Sequence, residues 1–455
     1  MAKFDYSKRD SFGSKIGVIA AAAGSAIGLG NIWKFPYITG ENGGGAFLLV
    51  YLGCIALIGL PIMLAEFSLG RKANRNVFGA FKKLAPNTGW YWSGVLFNTA
   101  AFTIMSYYAV VAGWIFAYIP RSISGALSGQ DFNEAFSNLN SSTVEPLIWS
   151  FVVLGLTIFF IHSGIKKGIE KYTKILMPIL LVLMIILMVR SVTLPGAIEG
   201  IDFLFAPDFS ALTPGGVLEA LGHAFFSLSL GMGVMMTYGS YIQKQENLQT
   251  TSLQVVIADT AIALMAGIII FPAVFAYDLE PSSGPGLIFI TLPGVFNAMQ
   301  GGIIFQTLFF ILIGIAALTS TMSLVEVVAS SVTEQLGISR NKGILMIAGL
   351  MALLIIPNSL SYGAMSDVTL FGHTVFGIFD FLASNIFLPV GGLLIALFLG
   401  WAYKLKNIRS EITNEGKYRF RLAGFYNFII KYIAPVAIVI ILLYATGILS
   451  KLGWV

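Results

Sequence analysis

Apolar residues run through this chain in long blocks separated by short polar stretches, and block length decides the first reading. A helix that crosses a bilayer needs about 20 largely apolar residues. Eleven blocks reach or approach that length, near 14–38, 44–70, 90–120, 147–163, 171–190, 215–241, 251–277, 301–333, 343–357, 370–402 and 430–449. The pattern predicts an all-α polytopic membrane protein, with residues 1–455 as a single domain.

Two blocks are interrupted where a spanning helix should be continuous. The first carries Gly24-Ser25-Ala26-Ile27-Gly28-Leu29-Gly30-Asn31, and the sixth carries Ser227-Leu228-Ser229-Leu230-Gly231-Met232-Gly233. Glycine weakens a helix, and hydrocarbon offers the freed backbone no other hydrogen-bond partner. Such breaks persist only where they line a polar cavity, and their carbonyls and amides then suit a small ion or a zwitterion. A lone glycine pair in a membrane helix is usually a packing feature. Here each break opens a five-segment half, 14–190 and 215–402, with 430–449 as an added eleventh segment. Halves with an odd number of segments run in opposite directions, which predicts a 5+5 inverted repeat with its site at the interface.

Composition and charge narrow the picture. Hydrophobic residues make up 56% of the chain and charged residues 11%, where a soluble protein has roughly 25% charged. The net charge of +5 is spread over short loops, so it marks orientation, not a nucleic-acid partner. With the N-terminus in the cytoplasm, all 27 lysines and arginines but Lys34, Arg121, Arg190 and Lys451 fall on the inner side. That places the C-terminus outside. The polar, acidic loop 121–146 lies outside, where Asn140-Ser141-Ser142 matches a glycosylation pattern by chance; the basic loop 404–431 lies inside. The basic start (Lys3, Lys8, Arg9, Lys15) followed by apolar residues also fits a cleaved signal peptide. The apolar block continues past any cleavage site, so a first span fits better. Cys54 is the only cysteine, and His162, His223 and His373 are far apart, so neither a disulfide nor a structural metal cluster is expected.

The stretch Gly28-Leu29-Gly30-Asn31-Ile32-Trp33-Lys34-Phe35-Pro36-Tyr37, then Glu41-Asn42-Gly43-Gly44-Gly45-Ala46-Phe47, closely resembles the start of the neurotransmitter:sodium symporters. The resemblance continues through Pro61 to Arg71, the sixth segment and Ala316-Ala317-Leu318-Thr319-Ser320. It spans essentially the whole chain and fits the bacterial, eleven-segment, amino-acid-transporting branch. It implies a LeuT-type fold with unwound helices 1 and 6, in a bacterial inner membrane, and two bound sodium ions. By motif, the first ion would use Ala26, Asn31, Ser227, Asp259 and the substrate carboxylate. The second would use Gly24, Ile27, Ala316, Thr319 and Ser320. Oxygen donors of this kind suit a hard cation. The substrate would lie against Ala26, Gly28, Leu29, Gly30, Ile104, Tyr108, Phe226, Ser229, Met232, Ser320 and Leu324, with the Tyr108 hydroxyl on its carboxylate.

The resemblance also fixes what the pocket selects. Gly28 stands where monoamine transporters of the family carry aspartate, which leaves room for a substrate carboxylate. No charged side chain lines this pocket, and an unmatched buried charge is costly. Hydrophobic L-amino acids, aliphatic and aromatic, are the expected cargo. Asp259 stands where many relatives have asparagine beside a chloride site, so chloride-independent transport is expected. Once sodium and substrate leave, a desolvated carboxylate there becomes a proton acceptor, which raises proton antiport.

The outer gate would pair Lys34 with Asp380, loosely, since lysine lacks the arginine fork that most relatives use. The inner gate would pair Arg9 with Glu334 beside Tyr241, with Phe12 in place of the usual tryptophan. Gly168 and Pro178 bracket a stretch of segment five that relatives unwind, and Glu66 would accept hydrogen bonds from the exposed backbone. An ion channel of the same fold would show rings of filter residues, and none is seen in the sequence. An enzyme would need a metal cluster or a nucleophile–base pair, and neither is evident. A nontransporting substrate sensor stays open as an alternative. No obligate protein partner is evident beyond substrate and lipid.

Overall fold

The computed structural model describes residues 9–277, 284 and 286–451; Lys3 and Lys8 of the basic tail lie outside them. Among these residues the regular structure is helical apart from one two-residue hairpin, Thr369–Leu370 paired with His373–Thr374, and an isolated bridge between Gly44 and Pro207. Eight continuous helices are long and apolar enough to cross a membrane: Gly45–Ala73, Tyr91–Ile123, Ile165–Val192, Leu248–Phe275, Gly302–Leu336, Arg340–Leu360, Val375–Ala402 and Ala423–Ala445. Segment four is Glu145–Ile161. Segments one and six are broken, which completes a set consistent with eleven.

Segment one runs as Lys15–Ala26 and Gly30–Glu41, bent by 48° at the break. Ser14 caps its start by accepting from the Gly17 amide. Segment six runs as Pro214–Ser227 and Val234–Gly239. Between them Ser229, Gly231 and Gly233 all take positive φ, at 53°, 76° and 77°. Glycine reaches that region without a Cβ penalty, whereas Ser229 is held there by its partners.

The two longest helices, Tyr91–Ile123 and Gly302–Leu336, are the spine. At 33 and 35 residues each extends about 50 Å by helical rise. Their apolar windows are 89% and 83% buried, against 28% for Ile165–Val192 and Ala423–Ala445. The exposed faces of those outer helices are apolar (Ile175, Ile179, Val182, Ile185, Val189, Val436, Ile440), as hydrocarbon contact requires.

Several boundaries move from their sequence positions. Segment five begins at Ile165, in a wide π turn over Ile165–Glu170. Segment ten begins at Val375, because 370–374 folds into the hairpin. Segment eleven begins at Ala423, and the basic loop before it carries a helix, Leu405–Ile412. The outer loop 121–146 also contains a helix, Phe132–Ser141, capped by Asp131 and lying at 76° to segment four.

Gly231 and Gly391 let segment ten press on the second break. A Cβ on Gly391 would stand 1.9 Å from the Gly231 carbonyl oxygen, and one on Gly231 would stand 2.2 Å from the Leu388 carbonyl oxygen. Both neighbours are backbone, so neither can yield by rotamer change. Gly391→Ala is expected to lower stability in detergent by about 1–3 kcal/mol through overpacking. Gly53→Ala, with open space around it, should be neutral or stabilising. Thermal unfolding of the two variants side by side checks this.

Candidate functional site between the two broken helices

The breaks face each other across a small cavity of about 30 Å³, room for about one water. Every residue assigned above to the substrate lines it, together with Ser25 and Ser323. One wall is polar. The Tyr108 hydroxyl accepts from the Leu29 amide at 3.1 Å. Ser25 Oγ donates to Ser323 Oγ at 2.7 Å and approaches Ser229 Oγ at 3.3 Å. Ser229 and Ser320 both donate to the Ser25 carbonyl, at 2.9 and 3.2 Å. The other wall is Ile104, Phe226, Met232 and Leu324. Gly28 is the floor: a Cβ there would stand 2.5 Å from Ser320 Oγ and 3.0 Å from the Tyr108 hydroxyl.

Asp259 lies fully buried beside the first break. Its carboxylate accepts from Asn31 Nδ2 at 2.8 Å and from Ser227 Oγ at 2.9 and 3.1 Å. Tyr51 donates to the same Ser227 hydroxyl at 3.1 Å. All these partners are neutral, and no ion pair to Asp259 exists among the described residues. A buried charge without a counter-charge is expensive. Oxygen-rich, neutral surroundings of this kind are what a monovalent hard cation needs. Glu66, equally buried, is satisfied differently. It accepts from the Gly231 amide at 2.8 Å and from Met236 at 3.3 Å, so it holds the second break open.

Of the residues expected at a second ion, Gly24 faces Thr319: a Cβ added to Gly24 would stand 3.4 Å from Thr319 Cβ. The Thr319 hydroxyl turns back onto its own helix, donating to Ala316 and Ile315 carbonyls at 3.0 and 3.2 Å. Its lone pairs stay available to an ion.

Above the small cavity lies a vestibule of about 280 Å³ lined by Trp33, Lys34, Tyr107 and Asp380. Phe226 and Tyr108 border both spaces and form the partition. The Lys34 ammonium sits 4.9 Å above the Phe226 ring. Lys34 and Asp380 line the same vestibule without an ion pair, and Asp380 accepts from Ser384 at 3.1 Å.

The opposite end is shut. Arg9 pairs with Glu334 at 2.8 Å, both buried, and lies 4.5 Å above the Tyr241 ring. Glu334 also accepts from the Asn76 amide at 2.9 Å. Tyr241 donates to Glu326 at 2.7 Å, and Arg340 neutralises Glu326 at 2.6 Å. Phe12 is 1% exposed and stacks edge-on to Tyr238 and Tyr241. The structure is therefore closed at the Arg9 end.

Gly168 has a packing reason beside any role in unwinding: a Cβ there would stand 2.5 Å from the Phe160 carbonyl oxygen. Pro178 lies inside the continuous helix Lys171–Val192. Sequence reasoning missed the clasp just below. Glu170 accepts from the Gly13 amide at 2.6 Å, the Ser14 hydroxyl at 2.8 Å and Lys174 at 2.5 Å. It ties the start of segment one to segment five. It also missed Tyr51 and Ser323, whose roles come only from packing across segments; Ser25 stood inside the quoted motif.

Charged hydrogen bonds contribute about 1.5–3 kcal/mol each, so Glu170→Gln should loosen the closed end. In a Cys54→Ala background, a buried Val18→Cys is expected to react with maleimide about tenfold faster when Glu170→Gln is added. Unchanged labelling would count against the clasp.

Comparison with known proteins agrees with this geometry. The family described as the sodium:neurotransmitter symporter family matches residues 9–145 and 141–453. An uncharacterised sodium-dependent transporter of Bacillus subtilis is 42% identical over 444 residues, covering 96% of this chain and 98% of that protein. The sodium-dependent serotonin transporter of Drosophila melanogaster is 26% identical over 496 residues, covering 96% and 76%. Among solved structures, MhsT in complex with L-phenylalanine is similar at TM-score 0.89 and 46% identity, covering 96% of this chain and 100% of that one. The chain belongs to the sodium:neurotransmitter symporter family and has the LeuT-type fold; it is a sodium-dependent membrane transporter and not an enzyme.

Proposed function

We propose that the protein is a secondary active symporter that imports hydrophobic L-amino acids, aliphatic and aromatic, on two sodium ions by alternating access. The observation that carries this reading is Asp259: a fully buried carboxylate with only neutral donors, beside a cavity with a polar floor and an apolar wall. A sodium ion among Ala26, Asn31, Ser227 and Asp259 supplies the missing counter-charge, and the substrate carboxylate completes its shell. Because ion and substrate share ligands, each raises the affinity of the other, reciprocally. The second ion belongs to Gly24, Ile27, Ala316, Thr319 and Ser320.

The residues present support each part of the substrate assignment. With no side chain at Gly28, the Ser320 and Tyr108 hydroxyls close in on that backbone, and the Tyr108 hydroxyl beside the Leu29 amide supports a carboxylate-binding role. Ser25 and Ser229 stand where an ammonium needs acceptors. The cavity is too small for a leucine side chain, so Phe226, Met232 and Leu324 must part to admit one. Methionine re-packs readily, and an apolar pocket separates neighbouring side chains by only about 1–3 kcal/mol per methylene. A broad range follows. The similar MhsT was solved with L-phenylalanine, which is within it.

Asp259 also supports chloride independence, since its charge already stands beside the ion site. Proton return on the same carboxylate after sodium leaves is a second reading. The positive-inside pattern supports an N-terminus in the cytoplasm and a C-terminus outside, in the cell membrane.

Proteoliposome uptake tests the reading. Leucine, phenylalanine and tryptophan should accumulate only with an inward sodium gradient, equally in chloride and in gluconate. Preference for glutamate, lysine or an amine without a carboxylate would overturn the substrate assignment, and loss of uptake in gluconate would overturn chloride independence. Asp259→Asn should weaken apparent sodium affinity at least about tenfold, which is about 1.4 kcal/mol. Tyr108→Phe removes one hydrogen bond to a charged group, about 1.5–3 kcal/mol. It should weaken leucine binding about 10- to 100-fold in scintillation proximity assays and leave the protein's thermal stability near wild type.

A further inference from the structure

The basic loop before segment eleven has no part in the transport site, yet it is built and anchored. Lys404, Lys406, Arg409, Lys417, Arg419 and Arg421 are all exposed. Of the two glutamates in the stretch, Glu411 is buried and engaged, by Arg71 at 2.6 Å and Lys244 at 2.6 Å. Glu415 alone opposes six exposed cations. Helix Leu405–Ile412 buries Ile408 and Ile412 against the protein, so its basic face is turned outward.

The loop also marks its own depth. Trp401 and Tyr432 meet edge-on at 5.8 Å, and the Lys431 ammonium lies 4.4 Å above Trp401 and 5.2 Å above Tyr432. Amphipathic rings of this kind settle at the membrane–water interface. Leu422, Phe425 and Phe428, spaced three apart, are 66%, 51% and 49% exposed. Apolar side chains therefore stand within a few residues of the exposed cations. A soluble partner offers either surface; a bilayer offers hydrocarbon with phosphate directly above it.

We propose that residues 404–421 form a binding surface for anionic phospholipid headgroups. Leu422, Phe425 and Phe428 enter the acyl region, and the six cations take the phosphates of the adjoining leaflet. The grip reaches the transport machinery through Arg71, which holds Glu411 by side chain and by carbonyl, at 2.6 and 2.5 Å, and also the Glu246 carbonyl at 2.6 Å. Arg71 ends segment two, and Glu246 lies between segments six and seven. Lipid bound at the loop thus bears on the inner ends of the helices around the second break. That this leaflet is the cytoplasmic one rests on the orientation proposed above.

The test is tryptophan quenching in nanodiscs of phosphatidylcholine with phosphatidylglycerol, using the full chain. Either lipid is brominated in turn, and a Trp401→Phe variant isolates the Trp401 contribution among the seven tryptophans. Brominated phosphatidylglycerol is expected to quench Trp401 more strongly at equal mole fraction. Each neutralised cation is worth about fivefold in association, from about 1 kcal/mol per basic residue. The combined variant Lys404→Gln, Lys406→Gln, Arg409→Gln, Arg419→Gln and Arg421→Gln should lose the preference at least tenfold. In the unmodified chain, 0.5 M salt should erode it in the same direction by screening, which keeps the test independent of that variant's folding. Equal quenching by both lipids, or a preference that survives salt, overturns the proposal. Nanodiscs carry the same lipid in both leaflets, so the result does not depend on sidedness. Lys417→Cys in a Cys54→Ala background, labelled with impermeant maleimide in intact cells, tests orientation separately.

Discussion

Everything in this structure depends on one constraint: within a bilayer, a backbone amide or carbonyl released from a helix must find a partner inside the protein. The two breaks release such groups on either side of one cavity, and each is answered from across the fold. Glu66 takes the amides of Gly231 and Met236. Tyr108 takes the amide of Leu29, and Ser229 and Ser320 take the carbonyl of Ser25. The carbonyls of Ala26 and Gly24, beside the first break, are the ones the proposed function gives to the ions.

The buried carboxylates divide along the same line. Glu326 has Arg340, Glu334 has Arg9 and Glu411 has Arg71. Glu66 has backbone amides. Asp259 has only Asn31 and Ser227. Removing one member of a buried pair leaves an uncompensated charge, at a cost of several kcal/mol, so the pairs of Glu334 and Glu326 hold the inner end shut and that of Glu411 anchors the loop before segment eleven. Asp259 is the acid with neutral donors alone, which is why the proposed function gives its compensation to a sodium ion.

Much of this was legible along the chain because membrane depth makes certain residues conspicuous. Glycine clusters with hydroxyls, and Glu66 and Asp259 in apolar blocks, stand out without any fold in hand. The expectation that Asn31, Ser227 and Thr319 bind ions comes from the family motif and not from spacing. What stayed hidden has two causes. Contacts such as Arg71 to Glu411, 340 positions apart, and Glu170 to Ser14 leave no local trace. Hydropathy also does not distinguish a span from an adjoining interfacial element, so 370–374 and 423–429 were placed on the wrong side of a boundary. Helix Phe132–Ser141 did carry a signal, since Asp131 with Glu134 three residues on is a capping pattern.

The two ends of the pathway are held by different physics, and this sets what a ligand has to accomplish. At the closed end, Arg9, Glu334, Tyr241, Glu326, Arg340 and Phe12 form one connected set. Opening it separates several buried charges together, and Glu170 adds the tie to segment five. At the vestibule end, a single ammonium rests over the Phe226 ring, an interaction of about 0.5–2 kcal/mol. A ligand shifts such an equilibrium only by its differential affinity for the two states. In the proposed cycle sodium and substrate bind between the breaks, where Ser229 and Phe226 belong to one broken helix and Gly28 to the other. On that proposal, the energy released on drawing these helices together is what acts against the inner network. On the same proposal the weak lid closes over them at little cost, and the strong one opens with both bound.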